Sequence, residues 1–146
     1  MAEKDGLAPE SIIQRATALL REYDPVAIYL FGSQVSGDVH PASDIDLAVL
    51  FPRGRDVSLR DRGVMIARLE EATYPFPVDL VILGEARLPI QYEVVTTGKV
   101  LYEADWDQRT DFVEHVLRLY ADFEPMARRS YREIVDEVLA DHGAIQ

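Results

Sequence analysis

Between Tyr29 and Phe51 the chain reads YLFGSQVSGDVHPASDIDLAVLF. An apolar run ends in Gly32-Ser33, ten mostly small or polar residues follow, and a second apolar run opens on two aspartates, Asp44 and Asp46. Taking a carboxylate out of water is costly unless a cation or hydrogen-bond donors meet it. The segment therefore does not read as two ordinary core strands. It asks for a fold in which two strands end at an opening, with the carboxylates there to meet something positive.

A strand alternates its side chains, so Asp44, Asp46 and Ala48 share one face and Ile45, Leu47 and Val49 the other. The two aspartate Cα atoms would stand roughly 6.6 Å apart, close enough to share one or two hard cations. Magnesium suits such a pair, because it prefers oxygen ligands and is usually completed by water and substrate phosphates. A third carboxylate, Asp79, interrupts a third apolar run, PVDLVIL. Should its strand lie beside that of Asp46, three carboxylates converge, a constellation that fits two-metal phosphoryl or nucleotidyl transfer. Gly32-Ser33 at a strand end would let the backbone approach phosphate oxygens, although a Gly-Ser pair by itself is also an ordinary turn.

In chain order, Ile12, Ile13, Ala16, Leu19, Leu20 and Tyr23 recur at helical spacing after Pro9, and the Asp24-Pro25 step ends that helix. Strands are predicted over residues 26–31, 44–51 and 77–83, with a loop holding at most a short helix over 33–43. Ser58 with Asp61 predicts the start of a helix that turns Leu59, Met65, Ile66, Leu69 and Ala72 inward and stops before Pro75. Pro89 and Gly98 bracket a shorter helix, and residues 100–102 add a short strand. From Trp106 onward the pattern is helical, with one apolar stripe before Pro125 and another after it, and Pro125 is expected to separate or kink the halves.

The 146 residues are enough for one core and carry a net charge of −11. Such acidity disfavours direct binding to nucleic acid or anionic membrane and suits a basic protein partner, if it does more than provide solubility. Residues 103–146 hold five Arg against eleven Asp and Glu, or −6, more than half of the total. The chain contains no cysteine, which excludes disulfides and thiolate metal sites and is compatible with a reducing cytoplasm. The N-terminus lacks the pattern of a signal peptide and no run of 18 apolar residues occurs, so a cytoplasmic protein is expected. His40, His115 and His142 form no zinc-ligand spacing.

Gly32-Ser33, ten residues and Asp44-x-Asp46 together resemble the signature of the polymerase-beta-like nucleotidyltransferase superfamily. The fuller GSQVSGDVHPASDIDL is similar to its minimal nucleotidyltransferases, the antitoxin (MNT) halves of HEPN/MNT toxin–antitoxin pairs. The resemblance covers about residues 10–102. It implies an α+β fold, a small mixed β-sheet with helices packed on it, in which residues 1–102 form the nucleotidyltransferase core. Residues 103–146 would be an acidic helical extension packing on the core or on a partner. It further implies that Gly32 and Ser33 meet the ATP triphosphate, with Ser43 also reaching a phosphate. Asp44, Asp46 and Asp79 would hold Mg2+, and Asp79 would help deprotonate the acceptor. The implied reaction moves AMP from ATP to a tyrosine hydroxyl of a HEPN ribonuclease toxin, in a hetero-oligomer with that toxin. One departure stands out. Family members often carry Arg or Lys just after the Ser, where this chain has Gln34, Val35 and Ser36. Arg53, Arg55 or a partner's side chain would have to supply the missing charge. Two other readings remain at this point. One is a non-catalytic module that neutralises its partner by occlusion, which would leave three carboxylates in apolar strands unexplained. The other is an aminoglycoside-type nucleotidyltransferase, for which the chain after Glu103 leaves little room to build a drug-binding domain.

Overall fold

A computed structural model of the chain describes residues 8–37 and 44–145, with the backbone alone at 127 and 141–145. The helix α1 spans Glu10–Arg21, with Pro9 just outside it as the N-cap. Asp24, ahead of Pro25, takes a positive φ of 52° and turns the chain into β1, Ala27–Phe31. A single turn of helix, α2 (Ser33–Ser36), follows directly. After it come β2 (Ile45–Leu50), α3 (Leu59–Thr73) and β3 (Val78–Ile82). A 3-10 turn at Leu83–Glu85, α4 (Leu88–Thr97), β4 (Lys99–Glu103) and α5 (Trp106–Ile145) complete the chain.

The four strands form one mixed sheet in the order β3-β2-β1-β4. β1 runs antiparallel to both β2 and β4, whereas β2 and β3 are parallel. The α+β expectation holds, and the alternation expected of β2 decides how the layers pack. Ile45, Leu47 and Val49 join Ile28 and Leu30 under α1 and α3, around Ala16, Leu20, Met65 and Leu69. On the opposite face Ala48 and Leu50 join Ala27, Tyr29 and Phe31 against Val94 of α4 and Phe112 of α5. Both faces of the central strands are therefore covered, which is why β1 is buried along its whole length.

Helix ends follow local chemistry. Ser58 Oγ accepts from the Asp61 N–H at 3.0 Å, as the Ser58–Asp61 spacing predicts. Asp105 does the same for α5, its carboxylate accepting from the Gln108 N–H at 3.0 Å. Leu59 departs from expectation. It stands in the first turn of α3, before the helix meets the sheet, and is 86% exposed. Pro125 does not separate the two halves, since α5 continues through it as one helix of 40 residues. Tyr92 and Tyr102 are half-buried, the first stacked on Tyr120 with ring centroids 3.7 Å apart and the second beneath the Arg21 guanidinium. Among the described residues no helix is long and apolar enough to cross a membrane.

Candidate active site

The carboxylates lie at one end of the sheet, and the register fixes how. Asp46 is paired across β1 with Phe31, the last residue before the Gly32-Ser33 turn, and across β3 with Asp79. Parallel neighbours in register point to the same side with backbones about 4.8 Å apart, so Asp46 and Asp79 are adjacent carboxylates on one face. Asp44 sits one residue before β2 begins and is exposed, as is Asp79, while Asp46 is half-buried. The sheet thus brings together the three residues that the sequence singled out. Among the described residues they do not close into a ready-made metal cage. Ser43 and His40 lie outside the described residues.

Gly32 shows how tightly the turn is set against this pair. Its φ of 73° belongs to a region that L side chains avoid, and a Cβ placed there would stand 2.2 Å from Asp46 Oδ2. The turn is glycine because its backbone and the Asp46 carboxylate occupy the same few ångströms. Ser33 opens α2 beside it, half-buried, with its carbonyl taken by the Gly37 N–H at 2.9 Å.

The electrostatics are unbalanced. Burial first, and then the neighbouring charges of Asp79, Asp44 and Glu93, push the Asp46 carboxyl from its ordinary value near 3.8 up to about 6. Glu93 is the residue that sequence reasoning missed. It sits in the Gln-Tyr-Glu-Val-Val stretch of α4 with no motif around it, and only the docking of Val94 onto Phe31 and Ala48 brings it near. A set of carboxylate oxygens that raise one another's proton affinity fits a hard divalent cation, which would offset the repulsion and leave positions for water and phosphate. Asp44, Asp46 and Asp79 are the residues placed to hold it.

The expected source of positive charge does not stand here. β2 runs away from the site, so Asp46 and Phe51 are separated by about 17 Å of strand, and Arg53 and Arg55 follow Phe51. Arg55 is moreover engaged at the far end of the sheet, donating to the Tyr23 and Asp24 carbonyls at 2.6 and 3.0 Å and lying against the Phe51 ring. Neither arginine reaches phosphates held at Gly32-Ser33. They line instead a cavity of about 570 Å3 at that far end, with Val26, Phe51, Phe112 and His115.

With this geometry in view, the comparisons are specific. The family described as "Polymerase beta, Nucleotidyltransferase" matches residues 14–107. This chain belongs to that family. The polymerase beta nucleotidyltransferase match contains all four strands, ends in the first turn of α5, and includes every described carboxylate of the site. Among curated proteins, the protein adenylyltransferase MntA of Shewanella oneidensis is 34% identical over 128 residues, covering 86% of each chain. Among solved structures, a toxin–antitoxin complex with AMP-PNP matches with a TM-score of 0.71 at 30% identity, over 84% of this chain and 97% of that one. The MNT antitoxin bound to a tri-AMPylated Shewanella oneidensis HEPN toxin matches with a TM-score of 0.68 at 26% identity, over 86% and 98%.

Proposed function

We propose that this chain is an antitoxin that works as a magnesium-dependent protein adenylyltransferase, moving AMP from ATP to a tyrosine hydroxyl of a HEPN ribonuclease. The observation that carries the reading is the register pair Asp46–Asp79 set against the Gly32 turn. Paired carboxylates on apolar strands have no use in a module that only covers its partner. The similarity to MntA and to an antitoxin bound to an AMPylated HEPN toxin supports the same acceptor class.

In this reading Gly32 and Ser33 receive the triphosphate through backbone N–H groups and the Ser33 hydroxyl, and Ser43 adds a second hydroxyl. Asp44 and Asp46, with Asp79, hold Mg2+, which supplies neutralisation of the phosphate charge. Asp79, the more exposed member of the pair, takes the proton from the acceptor tyrosine. The tyrosine oxygen then bonds to the α-phosphorus, the bond from that phosphorus to the β-phosphate bridging oxygen breaks, and pyrophosphate leaves with the electron pair. The acceptor gains bulk and negative charge where a ribonuclease must receive RNA phosphate, which accounts for neutralisation. Residues 1–102 would be the catalytic core and residues 103–146 the acidic extension, within a cytoplasmic hetero-oligomer.

The test is intact-mass spectrometry of a HEPN ribonuclease co-expressed with this chain. AMP added to the ribonuclease, and lost with Asp44→Asn plus Asp46→Asn, is the expected result. An unmodified ribonuclease that is still neutralised by the double variant would replace transfer with occlusion.

A further inference from the structure

The two apolar stripes of α5 are one stripe. Val113, Val116, Leu117 and Tyr120 recur 18 residues later as Tyr131, Ile134, Val135 and Val138, and 18 residues are five turns at 3.6 residues per turn. Because α5 runs through Pro125 without a break, both sets lie along the same side. The first set has a partner. Val116 is fully buried, and Tyr120 stacks on Tyr92 of α4. The second has none among the described residues, with Tyr131, Ile134 and Val138 at 72%, 59% and 61% exposed.

The direction of the helix gives this stripe a place. Phe112 and His115 line the cavity at the far end of the sheet, whereas Tyr120 meets Tyr92, whose chain neighbour Glu93 acts on Asp46. α5 therefore runs toward the carboxylate end, and from Phe123 to Leu139 it projects about 24 Å. α4 stops at Gly98, which is packed against the Leu30 carbonyl next to the Gly32 turn. The stripe loses its helical partner where the catalytic end of the sheet begins.

We propose that the projecting half of α5 is the docking surface for the acceptor protein, and that it takes an amphipathic helix of that protein laid end to end with α4. The inference rests on the antitoxin reading for the identity of the acceptor. The apolar face that already takes one helix is continued, in phase, for a second. Its edges specify charge as well. On a helical projection Arg132 borders one side of the stripe and Glu137 the other, while Arg128 beside Arg132 is already paired with Glu124 at 2.5 Å. The partner helix would therefore carry a carboxylate facing Arg132 and a basic group facing Glu137. A helix seated there is held at the end of the sheet that carries Asp46 and Asp79.

The test uses the full chain with Ile134→Asp plus Val138→Asp, its co-expressed HEPN ribonuclease, ATP and magnesium. The expected result is at least a tenfold rise in the ribonuclease concentration needed for half-maximal AMP transfer, with the KM for ATP and the rate at saturating ribonuclease unchanged. Ile134→Ala plus Val138→Ala, which preserves helix propensity, should give a smaller rise in the same direction, and Leu59→Asp on exposed α3 should give none. Unchanged affinity for the ribonuclease would overturn the proposal. So would a drop from dimer to monomer by light scattering with ribonuclease affinity intact, which would assign the stripe to a second copy. Stripe-dependent binding without AMP transfer by the parent chain would keep the docking surface and remove the adenylyltransferase reading.

Discussion

The two ends of the sheet treat charge in opposite ways. At the far end three of the arginines that the fold brings in are answered locally. Arg109 pairs with Glu103 at 2.5 Å and donates to the Tyr29 hydroxyl at 3.3 Å, Arg62 pairs with Glu85, and Arg55 is held by two carbonyls. At the other end Asp46, Asp79, Asp44 and Glu93 carry one sign, and their repulsion helps keep the Asp46 carboxyl well above the usual carboxylate range. Local neutralisation is what a structural region needs. Charge left uncompensated beside a strained glycine is what a region needs when its counter-charge arrives with a substrate.

The sharpest way to break this contrast is Gly32→Ala. The new Cβ would stand 2.2 Å from Asp46 Oδ2 at a φ of 73°, so either the turn or the carboxylate must move. AMP transfer should fall at least 100-fold, which corresponds to about 2.7 kcal/mol of transition-state stabilisation. Retained helix and sheet signal in circular dichroism would place the loss at the site. Activity within threefold of the parent would mean that the turn does not position Asp46.

The repulsion itself is measurable as a pH effect on folding. Unfolded Asp46 titrates near 3.8 and folded Asp46 at about 6, so between these values the folded state binds the extra proton. Stability is therefore lost as pH rises through that window, and stays lost above it. Asn cannot ionise, so Asp46→Asn should be more stable than the parent at pH 7.5 in a chelator. The gain should be about 1–2 kcal/mol once water around a half-buried carboxylate is allowed for. It should vanish at pH 3.5. Urea denaturation at the two pH values reads the difference, and an equal effect at both would remove the electrostatic account.

How much of this was visible in the sequence depends on whether the signal was local. Gly32, Asp44, Asp46 and Asp79 stood out because carboxylates and a breaker interrupt apolar runs, and alternation along β2 correctly divided its two faces. The pairing of Asp46 with Asp79 needed the parallel β2–β3 neighbourhood, which no local pattern encodes. Glu93 was illegible for the same reason, since its importance comes from where α4 docks. Arg53 and Arg55 looked available for phosphate because they are close to Asp46 in sequence, yet a strand carries its two ends far apart. Leu59 and Pro125 failed differently. Helical periodicity says which way a residue faces, not whether the sheet extends beneath it. A proline penalty did not end α5, whose first half is anchored by the buried Val116 while the half after Pro125 is exposed.

A smaller effect should follow at the far end. Gly54 also has a positive φ, 86°, but a Cβ there meets nothing within 4 Å. Gly54→Ala should cost about 1 kcal/mol of backbone strain and leave AMP transfer unchanged, so that two glycines of similar φ separate by their distance from Asp46. Thermal unfolding and the transfer assay measure the two consequences independently.

The smallest effect is expected at Arg53. Its exposed side chain lines the far-end cavity, and about 17 Å of β2 separates its neighbour Phe51 from Asp46. A charge at that distance in water is screened, since the Debye length is about 8 Å at physiological ionic strength. Arg53→Ala should therefore leave the KM for ATP within twofold and stability within about 0.5 kcal/mol. A rise of tenfold or more in the KM for ATP would put the triphosphate's counter-charge on this turn, and the division between a neutralised end and a catalytic end would not stand. An unchanged value leaves the counter-charge to the cation, to Lys99, which pairs with Leu30 at the carboxylate end of the sheet, and to groups that arrive with the acceptor.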